Sequence, residues 1–261
     1  MPSIGFIKLL LLLPVIVYAG LMAYAFLFAN KLVFPAPPPG YSDSKDIIRF
    51  PYDDGKSVAM VFLDNPGSRH LIFYHHGNGE DLHSAIFRMQ ALREAGCAVL
   101  GWDYPGYGTS DGKPSEKLVN TVARKILAEI PSSFGYQPDR IIHYGRSLGG
   151  GPALAMAAEQ PCAGIILEGT FTSIFRVGLG KNILPWDMFD NLARIRKVQC
   201  PVLVIHGTED RVIPFSHGKA LYEAAPGQKS FTWLDGGTHN NLIEAYRDSY
   251  YSSVTRFIKS I

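Results

Sequence analysis

The sequence predicts an α/β fold, a mostly parallel sheet covered by helices on both faces. Three observations predict it. From about residue 46 onward, short apolar runs alternate with stretches whose apolar residues recur near every 3.6 positions. The short runs are apolar throughout rather than at every second position, the pattern of strands buried on both faces. Finally, 261 residues with 47% hydrophobic and 18% charged residues exclude a disordered chain and suffice for a large core.

The elements follow in order. Residues 9–29 are apolar and uncharged, between Lys8 and Lys31. As a helix they span about 31 Å, enough to cross a bilayer core. A membrane anchor is the expectation. A cleaved signal peptide is the alternative, because Ala23-Tyr24-Ala25 has the small-x-small pattern of a cleavage site. Charges flanking the run nearly balance, with a lean toward an exported body. Phe34-Pro35-Ala36-Pro37-Pro38-Pro39-Gly40 cannot be helix interior and reads as a stiff spacer. The expected division is therefore an anchor and spacer over 1–40 and a globular domain over 41–261.

Within that domain, 47–50 and 58–63 read as an opening strand pair, turned by Asp53-Asp54-Gly55-Lys56. Strands are expected at 70–75, 98–102, 140–144, 164–168, 202–206 and 230–234. Helices are expected at 81–95, 116–130, 148–159, 215–224 and 241–258. Between strand 164–168 and strand 202–206 lie about thirty residues, enough for one or two helices but not a separate cap domain, expected as a short lid at about 170–198. It contains Phe171, Ile174, Phe175, Ile183, Leu184, Trp186, Met188 and Phe189. They read either as an apolar rim for an acyl chain or as cover for the sheet.

Composition excludes several function classes. A net charge of +2 without a Lys/Arg cluster gives no reason to expect nucleic acid. No Gly-Lys-Ser/Thr follows a glycine-rich loop, and no dinucleotide fingerprint appears, so no cofactor is implied. The histidines and three cysteines lack metal-ligand spacing, so no metal is expected. Cys97, Cys162 and Cys200 each open a strand, away from the ligand end of the sheet, and read as core fillers. Cys162 and Cys200 are expected as neighbours there, with a disulfide conceivable if the body is exported.

In open α/β sheets ligands bind beyond the carboxyl ends of the strands. Following the strand at 140–144 comes Gly145-Arg146-Ser147-Leu148-Gly149, a G-x-S-x-G pattern between a strand and a helix. Ser147 would sit on a sharp turn where side chains at 145 and 149 collide with their surroundings. A serine hydroxyl is a weak nucleophile and needs a base, which needs an orienting carboxylate. Of eight histidines, His239 alone combines the ligand end of the sheet with a position late in the chain. His143 lies inside a strand and reads as a core residue with satisfied polar atoms. Asp210, after the strand at 202–206, is the expected acid, with Glu209 and Glu168 as lesser alternatives. An oxyanion needs backbone N–H donors. Leu148, after the nucleophile, supplies one. Asn78, in the His76-Gly77-Asn78-Gly79 loop, is the expected second.

These features together resemble the α/β-hydrolase superfamily over roughly residues 45–261. The resemblance rests on His76-Gly77-Asn78-Gly79, Asp103-Tyr104-Pro105-Gly106-Tyr107-Gly108-Thr109-Ser110, the turn at 145–149, His206-Gly207-Thr208-Glu209-Asp210 and the Gly-Gly-Thr-His ending at His239. Glu168-Gly169-Thr170-Phe171-Thr172-Ser173 and the apolar amino terminus are similar to the small single-pass subgroup. The resemblance implies an eight-stranded sheet, a Ser-His-Asp triad of Ser147, His239 and Asp210, and hydrolysis of an ester, thioester or amide. It also implies a bracing role for Asp103. Gly169 departs from the family pattern and is expected to lie apart from the chemistry. The leading expectation is a membrane-anchored ester or thioester hydrolase. A serine peptidase and a non-catalytic binding protein are the alternatives.

Overall fold

The computed structural model describes residues 4–181 and 184–261. It divides into two compact units, Met1–Pro35 and Ala36–Ile261. The first unit is helix α1, Ile4–Val33. Its stretch Leu11–Val33 is the one helix among the described residues long and apolar enough to cross a membrane. Large apolar side chains from Leu11 to Phe28 are exposed around the helix. No core in this unit claims them, and a helix apolar on every face suits lipid.

In the second unit the segment after the prolines is pinned to the globular body. The Gly40 N–H donates to Asp81 at 2.7 Å, and the Tyr41 hydroxyl donates to Asp103 at 2.6 Å. Strands β1 (Ile48–Asp53) and β2 (Lys56–Leu63) then form the antiparallel edge. β1 runs past the expected end at residue 50. Pro51 is tolerated there because β1 is an edge strand whose register breaks between Pro51 and Asp53.

Six further strands alternate with helices. They are β3 (Leu71–His75), β4 (Ala98–Trp102), β5 (Ile141–Arg146), β6 (Gly164–Glu168), β7 (Val202–Gly207) and β8 (Lys229–Leu234). The eight strands form one sheet in the order β1-β2-β4-β3-β5-β6-β7-β8, antiparallel only where β2 meets its two neighbours. β3 to β7 are buried along their whole length, which is why they read as continuous apolar runs.

Among the described residues, buried apolar clusters lie on both faces of the sheet. On one, Ile72, Tyr74, Ile142, Ile166 and Leu203 pack under α2 (Leu82–Glu94) and α8 (Leu242–Lys259). On the other, Ile165, Leu167, Val202 and Val204 pack under α4 (Gly150–Glu159) and α7 (Phe215–Ala224). Each fully buried aliphatic side chain contributes about 1.5–3 kcal/mol. Helix α2 starts on a capping box, Asp81 with Ser84, worth about 1 kcal/mol. Helix α3 (Glu116–Phe134) extends one turn beyond the expected end. Pro131 lies within it, near enough to the end to break little, and left-handed Gly135 stops it.

The lid region holds two short helices, α5 (Ile174–Leu179) and α6 (Asn191–Ile195). Of its apolar residues, Phe171, Phe175, Leu184, Met188 and Phe189 are buried. Ile183 lies outside the described residues, and Ile174 and Trp186 are half-buried, but these five are packed away from solvent. The reason is visible at Gly151, where an added Cβ would meet the Phe189 ring at 2.2 Å. The bare glycine lets Phe189 pack onto α4.

Candidate active site

The candidate residues all lie at the carboxyl end of the parallel strands. Ser147 follows β5 in a single 3-10 turn, Ser147–Gly149, before α4 begins. Its φ is +49°, in the left-handed region a side chain rarely occupies. The flanking glycines explain how that strain is accommodated. A Cβ at Gly145 would lie 2.6 Å from the Gly149 carbonyl oxygen and Gly150 Cα. One at Gly149 would lie 2.0 Å from the His75 carbonyl oxygen. The turn therefore fits directly against the end of β3. The Thr170 hydroxyl closes it by donating to the Ser147 carbonyl at 2.8 Å.

His239 and Asp210 converge on Ser147 from loops after β8 and β7. His239 Nε2 is 3.0 Å from Ser147 Oγ, and His239 Nδ1 is 2.7 Å from Asp210 Oδ2. Oδ1 of Asp210 accepts the N–H groups of Val212 at 2.9 Å and Ile213 at 2.8 Å. Burial opposes ionisation of this carboxyl. Hydrogen bonds from His206 and His239 and the Ile213 N–H outweigh it and hold Asp210 well below the usual carboxylate range. Glu209 is exposed. Glu168 is committed elsewhere, receiving Arg88 at 3.1 Å and the hydroxyls of Tyr144 and Tyr250.

Asn78 follows β3 in the loop seated on the turn. The Gly77 N–H is taken by Glu80 Oε2 at 2.7 Å. The Gly77 carbonyl accepts from His76 Nδ1 at 2.7 Å and from the Glu80 N–H at 3.3 Å. In a trans peptide the next N–H points opposite that carbonyl, so the two bonds fix the direction of the Asn78 N–H. His76 Nε2 is 3.3 Å from Asp103 Oδ1. Burial works against a charged ring, yet Asp103 and the Gly77 carbonyl hold the His76 pKa above its ordinary value. Asp103 also accepts from the Leu82 N–H at 2.9 Å and from Tyr41, so it ties three segments together near the site.

Three features lay outside the sequence reading or against it. His206 is a second histidine on the acid. Its Nε2 donates to the Ile213 carbonyl at 2.9 Å and lies 3.4 Å from Asp210 Oδ2. Its place at the end of β7, four residues before Asp210, is the signal in the sequence that marks it. Gly169, expected apart from the chemistry, abuts it: with φ +53°, its Cβ position lies 3.4 Å from the His239 ring. Nor are the polar atoms of His143 satisfied. Both ring nitrogens are buried without a hydrogen bond, because the neighbours are Phe73 and His75, and burial lowers its pKa to about 3.

A family profile described as the α/β-hydrolase fold matches residues 70–194, and one described as serine aminopeptidase, S33, matches residues 187–246. The α/β-hydrolase domain-containing protein 17C of Xenopus tropicalis is 36% identical over 220 residues, covering 83% of this chain and 70% of that protein. The chain belongs to the α/β-hydrolase family. Protein 17C of Homo sapiens is 38% identical to this α/β-hydrolase over 208 residues, covering 78% of this chain and 63% of the human protein. Among solved structures, an esterase of Pyrococcus furiosus superposes on the α/β-hydrolase with a TM-score of 0.71 at 17% identity, covering 86% of this chain and 98% of the other. An α/β serine hydrolase homologue from Coxiella burnetii gives 0.63 at 16%, covering 83% and 99%. At such identities the likeness is one of fold.

Proposed function

We propose that this α/β-hydrolase is a serine hydrolase that cleaves a carboxylic ester or thioester through an acyl-enzyme on Ser147. The observation that carries the proposal is the continuous hydrogen-bonded line from Ser147 Oγ through His239 to Asp210, at 3.0 and 2.7 Å. Ser147 Oγ attacks the acyl carbonyl carbon while His239 Nε2 takes the hydroxyl proton. The carbonyl electron pair moves onto oxygen, where the N–H groups of Asn78 and Leu148 stabilise it. Such a donor is worth on the order of 100- to 1,000-fold in rate. The tetrahedral adduct collapses, and the leaving alcohol or thiol departs with the proton from His239. Water then attacks the acyl-enzyme by the reverse proton route, releasing the acid and restoring Ser147. Asp210, held ionised, accepts the Nδ1–H and stabilises the imidazolium formed in each step.

Leu11–Val33 serves in this reading as a single-pass anchor, and an acyl substrate at the membrane surface suits it. The matched aminopeptidase profile favours a second reading, cleavage of an aminoacyl amide. Labelling with a fluorophosphonate probe, on the intact chain and on Ser147→Ala, tests the chemistry. Labelling that vanishes in the variant is the expected result. Failure of the folded chain to label in detergent and in lipid would favour a non-catalytic binding protein. Comparing a chain-length series of esters and thioesters with aminoacyl amides then separates the two substrate readings.

A further inference from the structure

Arg146, the first of the two x positions of the G-x-S-x-G turn, is buried, with its side chain 8% exposed. Its guanidinium reaches two loops at once. Nη1 is 2.8 Å from Glu80 Oε1, while the other oxygen of Glu80 accepts the Gly77 N–H at 2.7 Å. Gly77 itself lies flat on this group: a Cβ there would meet Nη1 at 2.9 Å. Nη2 donates to Asn240 Oδ1 at 2.8 Å and to the His239 carbonyl at 3.3 Å. Behind it Nε faces Glu168 Oε1 at 3.5 Å. Burial disfavours both charges, but Arg88 and Arg146 hold the Glu168 carboxyl below its ordinary value.

We infer that Arg146 is a positioning residue that registers the Asn78 loop and the His239 loop against Ser147, its own chain neighbour. The inference rests on the serine-hydrolase reading above. The physical argument is one of shape. A planar guanidinium offers donors on two edges at fixed angles, so one rigid group can hold two loops at a set separation. Transition-state stabilisation needs the N–H donor and the base to be in place simultaneously, within a fraction of an ångström. A lysine ammonium keeps the charge yet can satisfy only one loop at full hydrogen-bond strength. Arg146 touches neither the Ser147 hydroxyl nor the His239 ring, so its loss acts through geometry and not through proton transfer.

The test uses the full chain in detergent micelles, with p-nitrophenyl butyrate as substrate, a trifluoromethyl ketone as transition-state mimic and the fluorophosphonate labelling rate. Arg146→Lys is expected to lower kcat on the order of 100-fold, the scale of a reacting group misplaced by about 1 Å. KM should stay within about 2-fold, and ketone affinity and labelling rate should fall with kcat/KM. Asn240→Ala, an exposed change that removes the shorter of the two bonds to the His239 loop, should show the same pattern at about 3- to 10-fold. Wild-type kcat in folded Arg146→Lys, or a raised KM at unchanged kcat, overturns the inference. If Arg146→Lys does not fold, Asn240→Ala decides, and an unchanged kcat there overturns it. A wild-type chain that neither labels nor hydrolyses overturns the hydrolase reading first and this inference with it.

Discussion

Two histidines share the carboxylate of Asp210 and differ in what they leave free. His239 spends Nδ1 on the acid and turns Nε2 to Ser147, whereas His206 spends Nε2 on the Ile213 carbonyl and the same acid. The ring of His206 fits because Gly218 lacks a Cβ, which would lie 2.5 Å from its Nδ1. A third histidine has no such partners. His143 is buried with a pKa of about 3, against 6.5 in an unfolded chain. Below 6.5 the unfolded chain binds a proton that the folded chain refuses until about pH 3, so stability falls as pH is lowered through that window. His143→Leu should therefore shrink the stability difference between pH 8 and pH 5 by about 2 kcal/mol. Denaturant midpoints at the two pH values check this; an unchanged difference would show that His143 titrates normally.

At the scale of elements, the site depends on how closely β3, the turn after β5 and α4 approach one another. Gly149 is the contact point, since its missing side chain admits the backbone oxygens of His75 and His76. Backbone cannot swing aside as a side-chain tip can. Gly149→Ala should therefore separate the Asn78 loop from Ser147 and cut fluorophosphonate labelling at least on the order of 10-fold, even in chains that retain native circular dichroism. Labelling at the wild-type rate would mean that the turn yields without cost. The lid elements work differently. Phe189, set against Gly151 of α4, packs edge to face with Phe171, so the region between β6 and β7 is held by core contacts as well as by its short helices.

For the whole molecule, the two units carry different physics. Leu11–Val33 exposes apolar side chains that only lipid or another apolar surface can cover, while Ala36–Ile261 packs buried apolar clusters on both faces of its sheet. The chain should stay with vesicles through alkaline carbonate extraction, and removal of residues 1–35 should release the remainder to the supernatant. Mass measurement of the membrane fraction separates anchor from signal peptide: loss of the segment ending near Ala25 would overturn the anchor. A second whole-molecule feature lies at the opposite end of the sheet. There the free thiols of Cys162 and Cys200 approach to 3.1 Å, as their places before β6 and β7 imply.

The sequence by itself determined most of the elements, because they are written in local signals: continuous apolar runs for β3 to β7, a 3.6-residue period for α3, a strand–turn–helix setting for Ser147. Chain order and sheet polarity pointed to His239 and to the loop of Asp210, since parallel strands carry their following loops to one end, but left Glu209 and Glu168 as alternatives to Asp210. What only the tertiary structure decided are contacts between groups distant in the chain. Arg146 meets Asn240 across 94 positions, and Gly169 lies against a ring 70 residues later. The inward turn of Phe189 depends on a bare glycine in α4, and the dry surroundings of His143 depend on which rings β3 brings beside it. No periodicity encodes such pairings. They follow from sheet order and helix approach, which are fixed only when the two faces of the sheet close together.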